Sequence, residues 1–159
     1  MNHDLRLAVR QHVEALNAEF AYLIDNGLSE RVAALFTEDG SYSIRDGHKH
    51  LVSKGRPAIA AAYAARAARG ARTSCHIFTN LHIAHATQDE ARGHCLLLLF
   101  AQDGAPPHPA VPLFVARYDD GYARDGDGVW RYRSREVTAL FTGQAGHAPV
   151  LPLGQAQAS

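Results

Sequence analysis

The chain has 159 residues, 47% of them hydrophobic, which is enough to bury the core of one ordinary domain and too apolar for a disordered polypeptide. Sixteen Lys and Arg balance sixteen Asp and Glu, so the formal net charge is zero. That balance excludes the basic surplus that binding to nucleic acid or an anionic membrane surface requires, and fits a small, uncharged or apolar partner. The opening Met1-Asn2-His3-Asp4-Leu5 lacks the basic then apolar pattern of a signal peptide. No apolar run approaches the roughly 20 residues of a spanning helix, so a cytoplasmic protein is expected.

In chain order, Leu5 to Asn26 reads as a long helix with Leu5, Val9, Val13, Leu16, Phe20 and Leu23 on one stripe. Asn26-Gly27 stops it, and Ser29 is placed to cap a short second helix from Glu30 to Phe36. Ser41 to Ile44 is a short extended piece, closed by a turn at Asp46-Gly47. Gly55-Arg56-Pro57 leads into an alanine-rich third helix, Ala58 to Arg69, ended by Gly70. Arg66 and Arg69 read as a solvated face of that helix. The pattern then turns to strands: Cys75 to His85, Ala91 to Gln102, Val111 to Tyr118, and Val129 to Phe141 after a Gly- and Asp-rich hairpin turn from Asp119 to Gly128. Three helices followed by an antiparallel meander make an α+β layout, a curved sheet wrapped around a long helix. It forms one domain over 1–142, with a tail over 143–159 that is Ala-, Gly-, Pro- and Gln-rich and awaits either a partner or no fixed structure. Cys75 and Cys95 both fall in strands and are expected to be buried free thiols.

Ten histidines raise the question of a metal site. His82 and His85 are three apart in a strand and so diverge, while His48 and His50 sit in a polar loop; no metal is expected. No phosphate loop, dinucleotide fingerprint or Gly-x-Ser-x-Gly elbow is present, which leaves acid–base chemistry in a pocket. Strand alternation puts His76, Phe78, Asn80 and His82 on one face, and Ile77, Thr79, Leu81 and Ile83 on the other, core-like face. The first mixture suits either an apolar cavity with a few polar groups or a solvent-facing sheet surface.

Five stretches in fixed order carry a resemblance: FAYLIDNG at Phe20–Gly27, ALFTEDG at Ala34–Gly40, GRPAI at Gly55–Ile59, HIFTNL at His76–Leu81 and GVWRY at Gly128–Tyr132. Together they resemble the SnoaL-like branch of the nuclear transport factor 2-like superfamily. The resemblance implies a cone-shaped α+β barrel, and a fold shared by scytalone dehydratase, hexachlorocyclohexane dehydrochlorinase, bile-acid dehydratase and ketosteroid isomerase. In the dehydratase and dehydrochlorinase an Asp near the end of the first helix pairs with a His on the first long strand, positions held here by Asp25 and His76. The implied chemistry is a cofactor-free lyase or isomerase reaction on a small apolar molecule, aromatic, polyketide- or steroid-like, in a homodimer or homotrimer. Tyr22, Tyr42, Phe78, Asn80 and His94 are the residues expected to touch substrate. The isomerase pattern fits less well, because Ser43, Ile44 and Arg45 stand where its base would be, and Asp46 reads as a turn acid. Helical periodicity by itself turns Asp25 away from the apolar stripe, towards solvent. Small β subunits of ring-hydroxylating dioxygenases share the fold too, so a non-catalytic ligand-binding protein or scaffold subunit is the second reading.

Overall fold

The amphipathic opening segment forms helix α1, His3–Asp25, whose stripe from Val9 through Val13, Leu16, Phe20 and Leu23 is buried. The computed structural model describes residues 3–46 and 49–143, so the expected tail lies outside the described residues apart from Gly143. A 3-10 helix, Ser29–Leu35, follows. Its cap residue is Leu28 and no side chain caps it; Ser29, expected as the cap, is instead buried in its first turn. Strand β1, Phe36–Asp46, is longer than the short extended piece expected, and β2, Lys49–Lys54, takes what read as a loop around His50. Gly55, at φ 82°, redirects the chain into α2, Arg56–Ala67, with Pro57 in its first turn.

Four long strands complete the domain: β3, Arg72–Ala86; β4, Glu90–Asp103; β5, Phe114–Arg124; and β6, Trp130–Thr142. β5 runs six residues beyond the expected Tyr118, because Asp119 and Asp120 stay in register with Glu136 and Arg135 of β6 and the turn is confined to the residues before Trp130. All six strands form one curved, open sheet in the order β2-β1-β6-β5-β4-β3. Every pairing is antiparallel except β1 with β6. The α+β architecture expected from the sequence is thus present, with α1 lying in the hollow of the sheet.

The core joins that hollow to the helix. Phe20 meets Tyr42, Tyr63, Phe78 and Tyr132 at ring-centroid distances of 5.9–6.5 Å, mostly edge to face. Trp130 is buried and stacks on His12.

β3 is an edge strand, and its alternation breaks once. Asn80 has φ 54°, and the register with β4 shifts between Thr79 and His82. Before the bulge His76 and Phe78 point inward; after it Ile83 does, and His82 faces out beside His94. The expected grouping of His76, Phe78, Asn80 and His82 on one face is therefore corrected: the bulge removes Asn80 and His82 from it. Ile77, expected in the core, is 43% exposed on the outer face. Cys75, one residue before His76, is likewise exposed, so only Cys95 is the buried free thiol expected.

Candidate active site

Asp25 is the last residue of α1, and the outcome there differs from its helical wheel. β3 lies at the sheet edge, and α1 packs against it with a second side besides the apolar stripe. Arg10 on that side donates from Nη1 to the Leu81 carbonyl, 2.8 Å. Asp25, four turns further along, reaches the start of the same strand. Its Oδ1 lies 2.6 Å from His76 Nδ1 and accepts the Ser74 hydroxyl at 2.7 Å, while Oδ2 accepts the His76 backbone N–H at 2.8 Å. The side chains are 20% and 8% exposed, respectively.

These contacts fix both charge and tautomer. Burial by itself raises the Asp25 carboxyl, but the hydrogen bonds and charge of His76, with the Ser74 hydroxyl, outweigh it and hold the pKa below its ordinary value. An ionised carboxylate cannot donate, so Nδ1 of His76 must carry the proton shared at 2.6 Å. In the neutral form of the ring the lone pair then sits on Nε2, which bonds to no described residue.

Around the pair the interior is aromatic, with one fixed cation. Phe78, two residues along from His76 on the same face, packs on Phe20 and Tyr118. Arg135 of β6 is fully buried, and its guanidinium carbon lies 3.9–5.1 Å from the ring centroids of Phe20, Phe78, Tyr118 and Tyr132. Asp120 grips it through Nε at 3.0 Å and Nη2 at 2.8 Å, and Asn17 Oδ1 accepts Nη2 as well. Full burial pushes the Arg135 pKa down, yet Asp120 more than offsets this, so Arg135 stays charged. Its Nη1 is buried without an acceptor among the described residues. Tyr42, buried, brings its hydroxyl to those of Tyr63 and Tyr118. Burial raises all three phenols, which keeps them protonated donors.

A model of the SnoaL-like domain matches residues 5–136. The chain belongs to the SnoaL-like domain family. Among solved structures, it is similar to a protein from Novosphingobium aromaticivorans provisionally named a scytalone dehydratase: 22% identity, TM-score 0.77, over 98% of this chain and 100% of that one. An NTF2-like protein with a cystatin-like fold from the same organism is 28% identical, with TM-score 0.68 over 89% of this chain and 88% of that one. LinA is 25% identical, with TM-score 0.68 over 94% of this chain and 99% of that one. No curated protein matches the chain.

Within this SnoaL-like domain the expected site residues divide. Asp25, His76, Phe78 and Tyr42 lie in or against the hollow of the sheet. Tyr22 is 55% exposed on α1, and Asn80 is exposed at the bulge. His94 lies beside His82 on the outer face, with the rings tilted at 5.2 Å between centroids, and is paired in register with Asp119. These three are apart from the Asp25–His76 pair, His94 because its strand neighbour Cys95 takes the inward position. Sequence reasoning left out Arg135, Asp120 and Asn17. Alternation from the inward Tyr132 points Arg135, three residues on, outward; the register shift between Gly121 and Tyr122 turns it inward, so periodicity carried no signal for it. No group of three or more metal-ligating side chains occurs among the described residues; His48 lies outside them. No helix among them is long and apolar enough to cross a membrane.

Proposed function

We propose that this protein is a cofactor-free lyase or isomerase in which His76 is the general base and Asp25 its positioning residue. The observation that carries the reading is the 2.6 Å contact between Asp25 Oδ1 and His76 Nδ1 inside a largely aromatic hollow. Nε2 removes a proton from carbon next to a carbonyl or a leaving group, and Asp25 stabilises the imidazolium that forms. In a lyase the electron pair of the broken C–H bond becomes a double bond, the leaving group departs with its own bonding pair, and the imidazolium protonates a departing hydroxide. In an isomerase the same proton returns at another carbon. Arg135, with its free Nη1, and the Tyr42 and Tyr118 hydroxyls supply positive potential for the oxygen on which charge develops. The aromatic walls suit a substrate with an apolar, ring-containing body.

The test needs no knowledge of the natural substrate. 2-Tetralone in D2O has exchangeable protons beside its carbonyl, and NMR follows their replacement. Wild-type protein is expected to accelerate exchange above buffer, Asp25→Asn to lose about 10²-fold or more of that acceleration, and His76→Ala to lose all of it. Exchange at the wild-type rate with His76→Ala would remove His76 as the base.

The reading includes self-association as a homodimer or homotrimer. Ile77, Leu98, Val115 and Phe141 are successive register partners across four strands on the outer face of the sheet, with Phe141 69% exposed. Such an apolar row also fits the second reading, a scaffold or binding subunit. That reading assigns no role to the three hydrogen bonds that hold Asp25 against β3.

A further inference from the structure

Asp25 has a second side. Between the C-terminal ends of α1 and α2 and the start of β3 lies a cleft of about 720 Å³, with Asp25 in its wall. Arg66, Arg69 and Arg72 line it, and their only acidic company there is Asp25 and Asp103. The sequence put Arg66 and Arg69 on a solvated face, but Arg66 is half-buried and its guanidinium has no hydrogen-bond or ion-pair partner among the described residues. Arg72 donates from Nη1 to Asp103 at 3.2 Å, while its Nε is buried without an acceptor. Three guanidiniums thus meet two carboxylates, one of which is committed to His76. In a chain of zero net charge, one positive charge is left in excess at this place.

An arrangement of this kind costs stability unless an anion completes it. Burial lowers the Arg66 pKa, with Arg72 adding to that effect and Asp25 among the groups opposing it, so the cleft resists its own charge. Planar guanidiniums with free N–H groups match a carboxylate in shape. A single compensating charge suits a monoanion, whereas a dianion would overshoot the excess and be repelled by Asp25.

We propose that the cleft binds a carboxylate of the substrate through Arg66 and Arg72, with Arg69 at the rim, so that the molecule turned over is an organic monoanion with an apolar body. The inference rests on the acid–base reading of His76. The carboxylate then anchors one end of the molecule in the cleft whose wall includes Asp25, the residue that holds His76.

The test is binding, measured separately from turnover, with 2-naphthoate and its uncharged analogue 2-naphthamide. Calorimetry is expected to show naphthoate binding about tenfold or more tightly than the amide, in wild type and in His76→Ala alike. In Arg66→Gln/Arg72→Gln the two probes should bind about equally. In wild-type protein, whose folding is not in question, the Arg72 Nε–H resonance should shift on titration with naphthoate and not with the amide. Equal binding of both probes to wild type, no binding of naphthoate at millimolar concentration, or a preference that survives in the double variant would overturn the proposal. Tetralone carries no carboxylate, so its exchange reports on His76 alone and the two readings can fail separately.

Discussion

Asp25 stands against two local rules. An acid at a helix C-terminus opposes the macrodipole, and its position on the wheel points away from the apolar stripe. Three hydrogen bonds from Ser74 and His76 outweigh both. Periodicity could not show this, because it describes a helix with one buried side, and α1 has a second against the edge strand. The residue type and position were legible only through resemblance. The carboxyl's lowered pKa sets a pH dependence. A group that binds its proton less readily when folded stabilises the fold fully above its unfolded pKa, near 3.8, and loses that contribution as pH falls through the lower folded value. Asp25→Asn is therefore expected to cost about 1–2 kcal/mol at pH 7. The gap from wild type should narrow steadily as pH falls below about 4. Urea midpoints for both proteins across that range check the sign. A gap that widens on acidification would mean that the contacts to Asp25 do not favour its charged form.

At the scale of elements, long strongly patterned segments were legible and special backbone was not. α1, α2 and the four long strands follow from period and composition. β2 did not, since Lys49–Lys54 offers only Leu51 and Val52 as apolar residues, with Lys at both ends, the composition of a guarded edge strand. The bulge in β3 was equally hidden, because alternation assumes an unbroken period of two. Its presence decides which residues of β3 face the interior. Asn80 tolerates φ 54° better than most residues, and across the strand Gly93 has no side chain to add: a Cβ there would lie 2.4 Å from the His82 carbonyl oxygen. Asn80→Gly should therefore keep the fold at wild-type stability or slightly above it. Asn80→Val, β-branched at a left-handed position, should cost about 1–2 kcal/mol. Thermal melts of the two variants distinguish the bulge from a straight strand, in which Val would be the better residue of the pair.

At the scale of the molecule, the order of elements was enough to give the α+β layout, but the polar centre of the hollow was out of reach. It is assembled from residues far apart in sequence. Arg135 meets Asp120 across the β5–β6 pair, where the two are register partners, and Asn17 of α1 accepts from both Arg135 and Tyr132. Helix and sheet are thus tied at their centre by a network with almost no exposure, and Tyr122 donates to the same Asp120 at 3.0 Å. Such a pair contributes little relative to well-packed apolar residues, because both charges lose their water. Breaking it is another matter. Arg135→Met leaves Asp120 an uncompensated anion, and Asp120→Asn leaves a cation among four rings; each should cost about 3–5 kcal/mol in urea unfolding. The double variant, which removes both charges, should cost clearly less than the two single costs together, with a coupling of about 1–3 kcal/mol. Aromatic packing around Phe20 would then hold the double variant together, and the network's remaining value would lie in the charge it fixes among the rings of Phe20, Phe78, Tyr118 and Tyr132. Strictly additive costs would instead mean that Asp120 and Arg135 stabilise the fold through separate partners, Tyr122 for one and the aromatic rings for the other.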